Sequence, residues 1–212
     1  MKALDALACL AGLGAPVFTT NDAAAALRLE RAHASKTLER LATSRVVVRL
    51  RRGLWAFPEK VTALALPAYL LAPNPCYISL QSALYLHGMI SQMPHRTYAV
   101  SPSRTRLLRT PLGDVSVHHV KPSFFFGYNV HPRTGIALAA PEKALVDFLY
   151  LTPARSRLFA ALPELELPPG FRWTEARRLI QRIDSPHRRA MVRRQLEGLK
   201  RQSLSPDSQE AD

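Results

Sequence analysis

The chain has 212 residues, 47% of them hydrophobic, and a formal net charge of +13. That apolar share excludes a disordered chain, the length fits one or two small domains, and no apolar run approaches the ~20 residues that span a bilayer. The charge favours polyanionic partners (DNA, RNA or an anionic membrane surface) without choosing among them. It is concentrated near the two ends. Arg28 to Arg52 holds eight Lys and Arg against Glu30 and Glu39, and Arg172 to Arg201 holds ten against Glu175, Asp184 and Glu197. The opening MKALDALACLAGLGAPVF has only Lys2 at its start, is interrupted by Asp5, and repeats leucine every third residue, so it reads as an amphipathic helix over 2–13 rather than a secretory signal. Gly12, Gly14 and Pro16 stop it. A second helix follows over about 20–27, with Thr20 or Asn21 as cap and Asp22 in the first turn.

After the link Arg28-Leu29-Glu30, a third helix is predicted over 31–43. Ala34, Leu38 and Leu41 make its buried stripe, and Arg31, His33, Ser35, Lys36, Thr37 and Arg40 fall on the other side. Val46–Leu50 and Leu54–Phe57 read as two strands around the turn Arg51-Arg52-Gly53, and Pro58 ends the second. Three helices and a hairpin in this order make a winged helix-turn-helix. Its third helix would reach base edges in the major groove, and Arg49, Arg51 and Arg52 on the wing would meet phosphate or a narrow minor groove.

Residues 59–75 read as a linker with helical character, interrupted by Pro67. Beyond it, Ser79 caps a helix over about 80–87 that Gly88 ends. Thr97–Val100 is a strand, Ser101–Pro111 a basic loop with Arg104, Arg106 and Arg109, Val115–Val120 a strand, and Ile136–Ala139 another. Pro141 opens a helix with Glu142 in its first turn. Thr174 caps a helix to about Ile183, and Ser185-Pro186 opens a last one. The expected fold class is therefore α+β. A winged helix-turn-helix over 1–58, the linker over 59–75 and a mixed α/β domain over 76–170 are followed by a basic helical extension over 171–202 and a disordered tail over 203–212.

Several segments together resemble the AbiEi family of antitoxin-type transcriptional regulators, from type IV abortive-infection toxin–antitoxin systems. The resemblance runs from about Phe18 to Leu151. It rests on FTTNDAAAAL, SKTLERL and VVVRLRRGLWAF, and more specifically on CYISLQSALYLHGMI, FFFGY and APEKALVDFLYL. It implies an N-terminal domain that represses its own operon at repeated sites in double-stranded DNA, as a monomer or weak dimer. It also implies a C-terminal domain that antagonises a nucleotidyltransferase-like toxin without needing a stable complex. Ser35, Lys36, Thr37 and Arg40 would then lie on the recognition helix, and Arg49, Arg51 and Arg52 on the wing.

Enzymatic chemistry finds little support. Glu142-Lys143 with Asp114 faintly resembles a nuclease set, but acid and lysine are adjacent instead of separated by one residue, and helix-end preferences explain them as a first-turn Glu and a flanking Lys. Asp147 stands in i, i+4 relation to Lys143, in the weaker order for pairing. His118 and His119 point to opposite sides of a strand, and His87 reads as a helix C-cap. No metal or cofactor motif appears. Cys9 and Cys76 form no CxxC pair and read as reduced core cysteines of a cytoplasmic protein. The aromatic run Phe124–Tyr128 reads as core or an interdomain contact. The expectation is a non-enzymatic DNA-binding repressor with no membrane contact. An RNA-binding protein, carried by the basic block 172–201, and an orphan winged-helix regulator are the alternatives.

Overall fold

A computed structural model of the chain describes residues 2–151 and 165–203. Among them are eight α-helices and two β-sheets, a mixed α+β architecture. The first sheet and three helices form the N-terminal part: α1 (Ala3–Ala11), β1 (Val17–Thr19), α2 (Thr20–Leu27), α3 (Arg31–Thr43), β2 (Val48–Arg51) and β3 (Leu54–Ala56). The bounds of α2 and α3 agree with expectation. The α2 cap is Thr19, not Thr20 or Asn21. Thr19 Oγ1 accepts the Asp22 N–H at 3.2 Å, while Asp22 Oδ2 accepts the Thr19 N–H at 2.7 Å. This reciprocal pair satisfies two donors that a helix start leaves open. Thr19 also ends β1, a strand too short for any periodic signal, which pairs antiparallel with β3 in the order β1-β3-β2.

The three helices and one face of this sheet close on a common core that includes Ala6, Leu10, Phe18, Leu27, Leu38, Leu41 and Trp55. Trp55 Nε1 donates to Thr20 Oγ1 at 3.0 Å, a buried bond from β3 to the first turn of α2. Gly53, at φ 76°, makes the tight turn between β2 and β3. A bulge between Arg49 and Arg51 shifts the register of the hairpin.

The segment after the hairpin is not a loose connector. A short 3₁₀ turn (Pro58–Lys60) leads to α4 (Leu66–Leu71). Pro67 does not interrupt this helix; it occupies the first turn, where no intrahelical N–H bond is lost. Leu66, Leu70 and Leu71 fill a second core between Leu50, Leu54 and Ala56 of the hairpin and Val115 and Val117 of the second sheet.

That second sheet contains β4 (Tyr77–Ile78), β5 (Thr97–Ser101), β6 (Arg106–Leu108), β7 (Val115–His119), β8 (Tyr128–Val130) and β9 (Ala137–Ala139), in the order β6-β7-β5-β4-β9-β8. The pairs β5/β7 and β4/β9 are parallel and the others antiparallel. The helices α5 (Leu80–Leu86), α6 (Pro141–Leu151), α7 (Trp173–Gln181) and α8 (Pro186–Ser203) share the largest apolar cluster with it. The backbone N–H of Arg172, not a Thr174 side chain, marks the start of α7 by donating to Glu142 Oε1 at 2.9 Å. Ser185 and Pro186 open α8 as expected, and Ala176, Ile180, Val192 and Leu196 bury these last helices. The tail expected over 203–212 lies, past Ser203, outside the described residues.

Candidate nucleic-acid interface

The helix α3 turns Ala34, Thr37, Leu38 and Leu41 inward. Thr37 therefore departs from expectation: it is 9% exposed and unable to face a ligand. Its position is three residues after Ala34 and four before Leu41, inside the apolar stripe, and a threonine methyl packs there without strain. At about 100° per residue, the remaining predicted residues divide between two flanks. His33, Lys36 and Arg40 occupy one flank and Arg31 and Ser35 the other, with Glu39 between them. Arg31, His33, Lys36 and Arg40 are exposed and Ser35 is half-buried, its hydroxyl making a long 3.5 Å contact to Glu39.

The hairpin adds three exposed arginines. The Arg49 guanidinium lies 5.7 Å from the centroid of the Trp55 ring. Trp55 belongs to the same core as Leu38 and Leu41, so Arg49 is tied to the side of the hairpin that meets α3. Arg51 and Arg52 form the exposed tip. None of these hairpin arginines, nor Arg31, Lys36 or Arg40, joins the ion pairs found among the described residues. Between α2 and α3, Arg28 takes the left-handed conformation at φ 52° that a glycine usually supplies, and the turn is three residues long.

The C-terminal cations are placed differently. Arg177 grips Glu197 through two bonds of 2.7 and 2.9 Å. Arg182 lies 3.6 Å from the Phe126 ring centroid and Arg188 4.9 Å from that of Tyr150. Arg189 donates to the Ile183 carbonyl at 2.9 Å, and Arg172 Nε lies 3.7 Å from Glu142. Half of the dense basic block is thus engaged within the protein: Arg172, Arg182 and Arg188 dock the last helices onto α6 and the aromatic segment, and Arg177 and Arg189 join α8 to α7 and the turn after it.

A second constellation is foreshadowed in the sequence by the i, i+4 spacing of Lys143 and Asp147, which here form a buried pair. Every residue of α6 from Glu142 to Leu151 is buried, so Lys143 is not a flanking solvent lysine. Its ammonium is fully buried, paired with the Asp147 carboxylate, and donates to the Tyr77 hydroxyl at 2.9 Å. Asp147 also accepts from Tyr77 at 3.0 Å and from Ser79 at 2.8 Å. Ser79 is spent on this bond and gives no side-chain cap to α5, contrary to expectation. Phe124, Phe126 and Tyr77 surround the ammonium at 4.1, 5.0 and 5.4 Å. Gly127 lies so close that a Cβ there would sit 3.0 Å from the Lys143 stem. Burial lowers the Lys143 pKa against the opposing pull of Asp147, and burial followed by Asp147 raises that of Tyr77. The segments CYIS, FFFGY and PEKALVD, far apart in the chain, meet here. Glu142 and Lys143 are thus held by internal partners, and among the described residues no group of three His, Cys, Asp or Glu could hold a metal.

The histidines sort by face. His118 is buried, 2.9 Å from Ser116 Oγ, and burial lowers its pKa to about 4. His119 is exposed and bonds the loop before β6. His87 ends α5 and its Nε2 donates to the Ala139 carbonyl at 2.7 Å. Among the described residues no helix is long and apolar enough to cross a membrane. No family model matches the chain, and no curated protein matches it.

Proposed function

We propose that this chain is a DNA-binding transcriptional repressor whose N-terminal part works as a winged helix-turn-helix. α3 reads bases and the hairpin grips phosphate. One observation carries this reading: the exposed cations of α3 and of the hairpin are free of internal ion pairs and are built on one core, through Trp55. Cations without acidic partners in the protein can release counterions from a duplex at no cost in broken ion pairs. The base-reading set is His33, Lys36 and Arg40 on one flank, with Arg31 and Ser35 on the other; Thr37 supports the helix from below. The RNA-binding alternative loses support because half of the C-terminal cations on which it rests are engaged within the protein.

Arg51→Ala with Arg52→Ala tests the grip. It is expected to weaken binding to every duplex and to reduce the slope of log K against log salt by about one per lost phosphate contact. Changes at Lys36 or Arg40 are expected instead to alter sequence preference, by about 1–3 kcal/mol for a bidentate base contact. Unchanged salt slopes in the double variant remove the hairpin from the interface, and a preference for RNA in direct competition removes the repressor reading. The antitoxin role, in the cytoplasm and opposite a nucleotidyltransferase-like toxin, rests on the resemblance of CYISLQSALYLHGMI, FFFGY and APEKALVDFLYL. Co-expression with the product of an adjoining nucleotidyltransferase-like gene tests it: rescue of growth is expected, and continued toxicity refutes it.

A further inference from the structure

We infer that the edge of the second sheet, Arg104 and Arg106 with Arg109 beside them, is a second phosphate-binding surface that engages duplex DNA flanking the part held by α3 and the hairpin. This rests on the DNA-binding reading above and extends the same interface onto the other sheet.

Three observations carry it. The first is charge. Arg104, Arg106 and Arg109 are exposed, residues 101–111 contain no acid, and none of the three arginines joins an ion pair among the described residues. The nearest acid along the ladder is Asp114, one residue before Val115, the partner of Leu108. It faces Arg109 more than the other two, so Arg104 and Arg106 carry the test. The second is continuity. Leu108 and Leu112 pack in the core that holds Leu50 and Leu54 of the hairpin, so the strand β6 and the arginine-tipped hairpin are fixed to one another by shared apolar contacts.

The third is preorganisation. The loop before β6 is held by bonds at each step. Ser101 Oγ donates to the Pro75 carbonyl at 2.7 Å and accepts the Ser103 N–H at 3.1 Å. The His119 N–H donates to Thr105 Oγ1 at 2.9 Å, and His119 Nδ1 reaches the Pro102 and Ser103 carbonyls at 3.0 and 3.1 Å. Carbonyls only accept, so Nδ1 carries the proton. A cation on a loop already ordered loses little further freedom on binding. Among the described residues β6 is also an edge strand, with no strand on its outer side.

The test compares full-length wild type, Arg104→Gln/Arg106→Gln and Arg51→Ala/Arg52→Ala on two duplexes, one of about three helical turns and one of about one and a half. On the long duplex the Arg104/Arg106 variant is expected to show a salt slope lower than wild type by about one to two. On the short duplex, which lacks the flanking phosphates, the two proteins should coincide. Equal slopes on the long duplex overturn the inference, and so does an equal loss on both lengths, which signals only a change of overall charge. Wild-type protein that binds neither duplex overturns the DNA-binding reading and this one with it. A hairpin variant that binds normally beside a defective Arg104/Arg106 variant overturns the hairpin's role and supports this surface. Capture of an acidic peptide through Arg104 and Arg106, with DNA slopes unchanged, assigns the edge to a protein partner and overturns it.

Discussion

Removing one member of the buried Lys143–Asp147 pair should cost far more than removing both, and the two single losses should be unequal. Asp147 accepts from three donors: Lys143 Nζ, the Tyr77 hydroxyl and the Ser79 hydroxyl. Asp147→Leu strands an ammonium with no exposure to water, at about 3–5 kcal/mol, and leaves hydroxyl donors unmet at about 1–3 kcal/mol each. Lys143→Met is nearly volume-conserving and leaves the carboxylate with two hydroxyl donors, so its cost should fall near the lower end, about 3 kcal/mol. The double variant removes both charges and should be more stable than Asp147→Leu alone. Asp147→Asn, which keeps one acceptor oxygen for the hydroxyls but turns the other into an NH2 donor facing the ammonium, guards against an Asp147→Leu protein too unstable to purify. Denaturant unfolding of wild type and the four variants, compared at equal m-values, gives the coupling. We expect about 2 kcal/mol or more between the two positions. Single effects that add in the double variant to within about 0.5 kcal/mol refute the reasoning, as does a Lys143→Met protein less stable than Asp147→Leu.

Acidification should destabilise the fold through His118. Its folded pKa of about 4 is below the ordinary histidine value of 6.5, so the unfolded chain binds the extra proton between those values and stability falls as pH drops through that window. The contribution reaches about 3 kcal/mol near pH 4; His118→Gln should remove this limb of the pH–stability curve, and an unaltered acid limb refutes the assignment. Trp55→Phe deletes the bond to Thr20 and the best ring for Arg49, and should cost about 1–3 kcal/mol of stability while weakening duplex binding. Wild-type affinity at a temperature where the variant is fully folded would show that Trp55 does not position the hairpin.

The elements legible in the sequence are those whose ends carry strong chemistry. The start of α2 is marked by a cluster of capping residues, the starts of α6 and α8 by Pro141 and Pro186, and α3, which has no side-chain cap, by its apolar stripe. The strands β1, β4, β6 and β8 are two or three residues long, shorter than the four or more residues over which alternation becomes a recognisable strand signal. The cations of the proposed interface were visible as exposed positions, but Thr37 was not separable from them, because its letter reads polar while its place on the helix is apolar. Lys143 and Asp147 were hidden for the opposite reason. A lysine and an aspartate near a helix start read as solvent-facing, and only tertiary packing makes α6 a central helix covered by α5, α7 and α8. Two signals were available: the i, i+4 spacing of Lys143 and Asp147, and the presence of a polar or aromatic member of this cluster in all three of the more specific segments behind the family resemblance.

The position of the hairpin follows from two cores, not one. Trp55 and Val47 belong to the core shared with α1, α2 and α3, while Leu50, Leu54 and Ala56 belong to the core shared with α4 and β7. Side chains of β3 alternate between the two, as a strand with both faces covered requires. Residues 59–75 accordingly contribute a buried helix where a flexible tether would let the two sheets move independently. A duplex gripped by Arg51 and Arg52 would therefore meet the second sheet at a fixed position, so a charge change at β6 can alter binding without reaching α3. The Lys143–Asp147 cluster lies in the other large core, behind β4, and its bonds hold α6 to the sheet whose far edge carries Arg104 and Arg106. Losses at the cluster should accordingly appear first in folding stability, and in duplex affinity only once that sheet loosens.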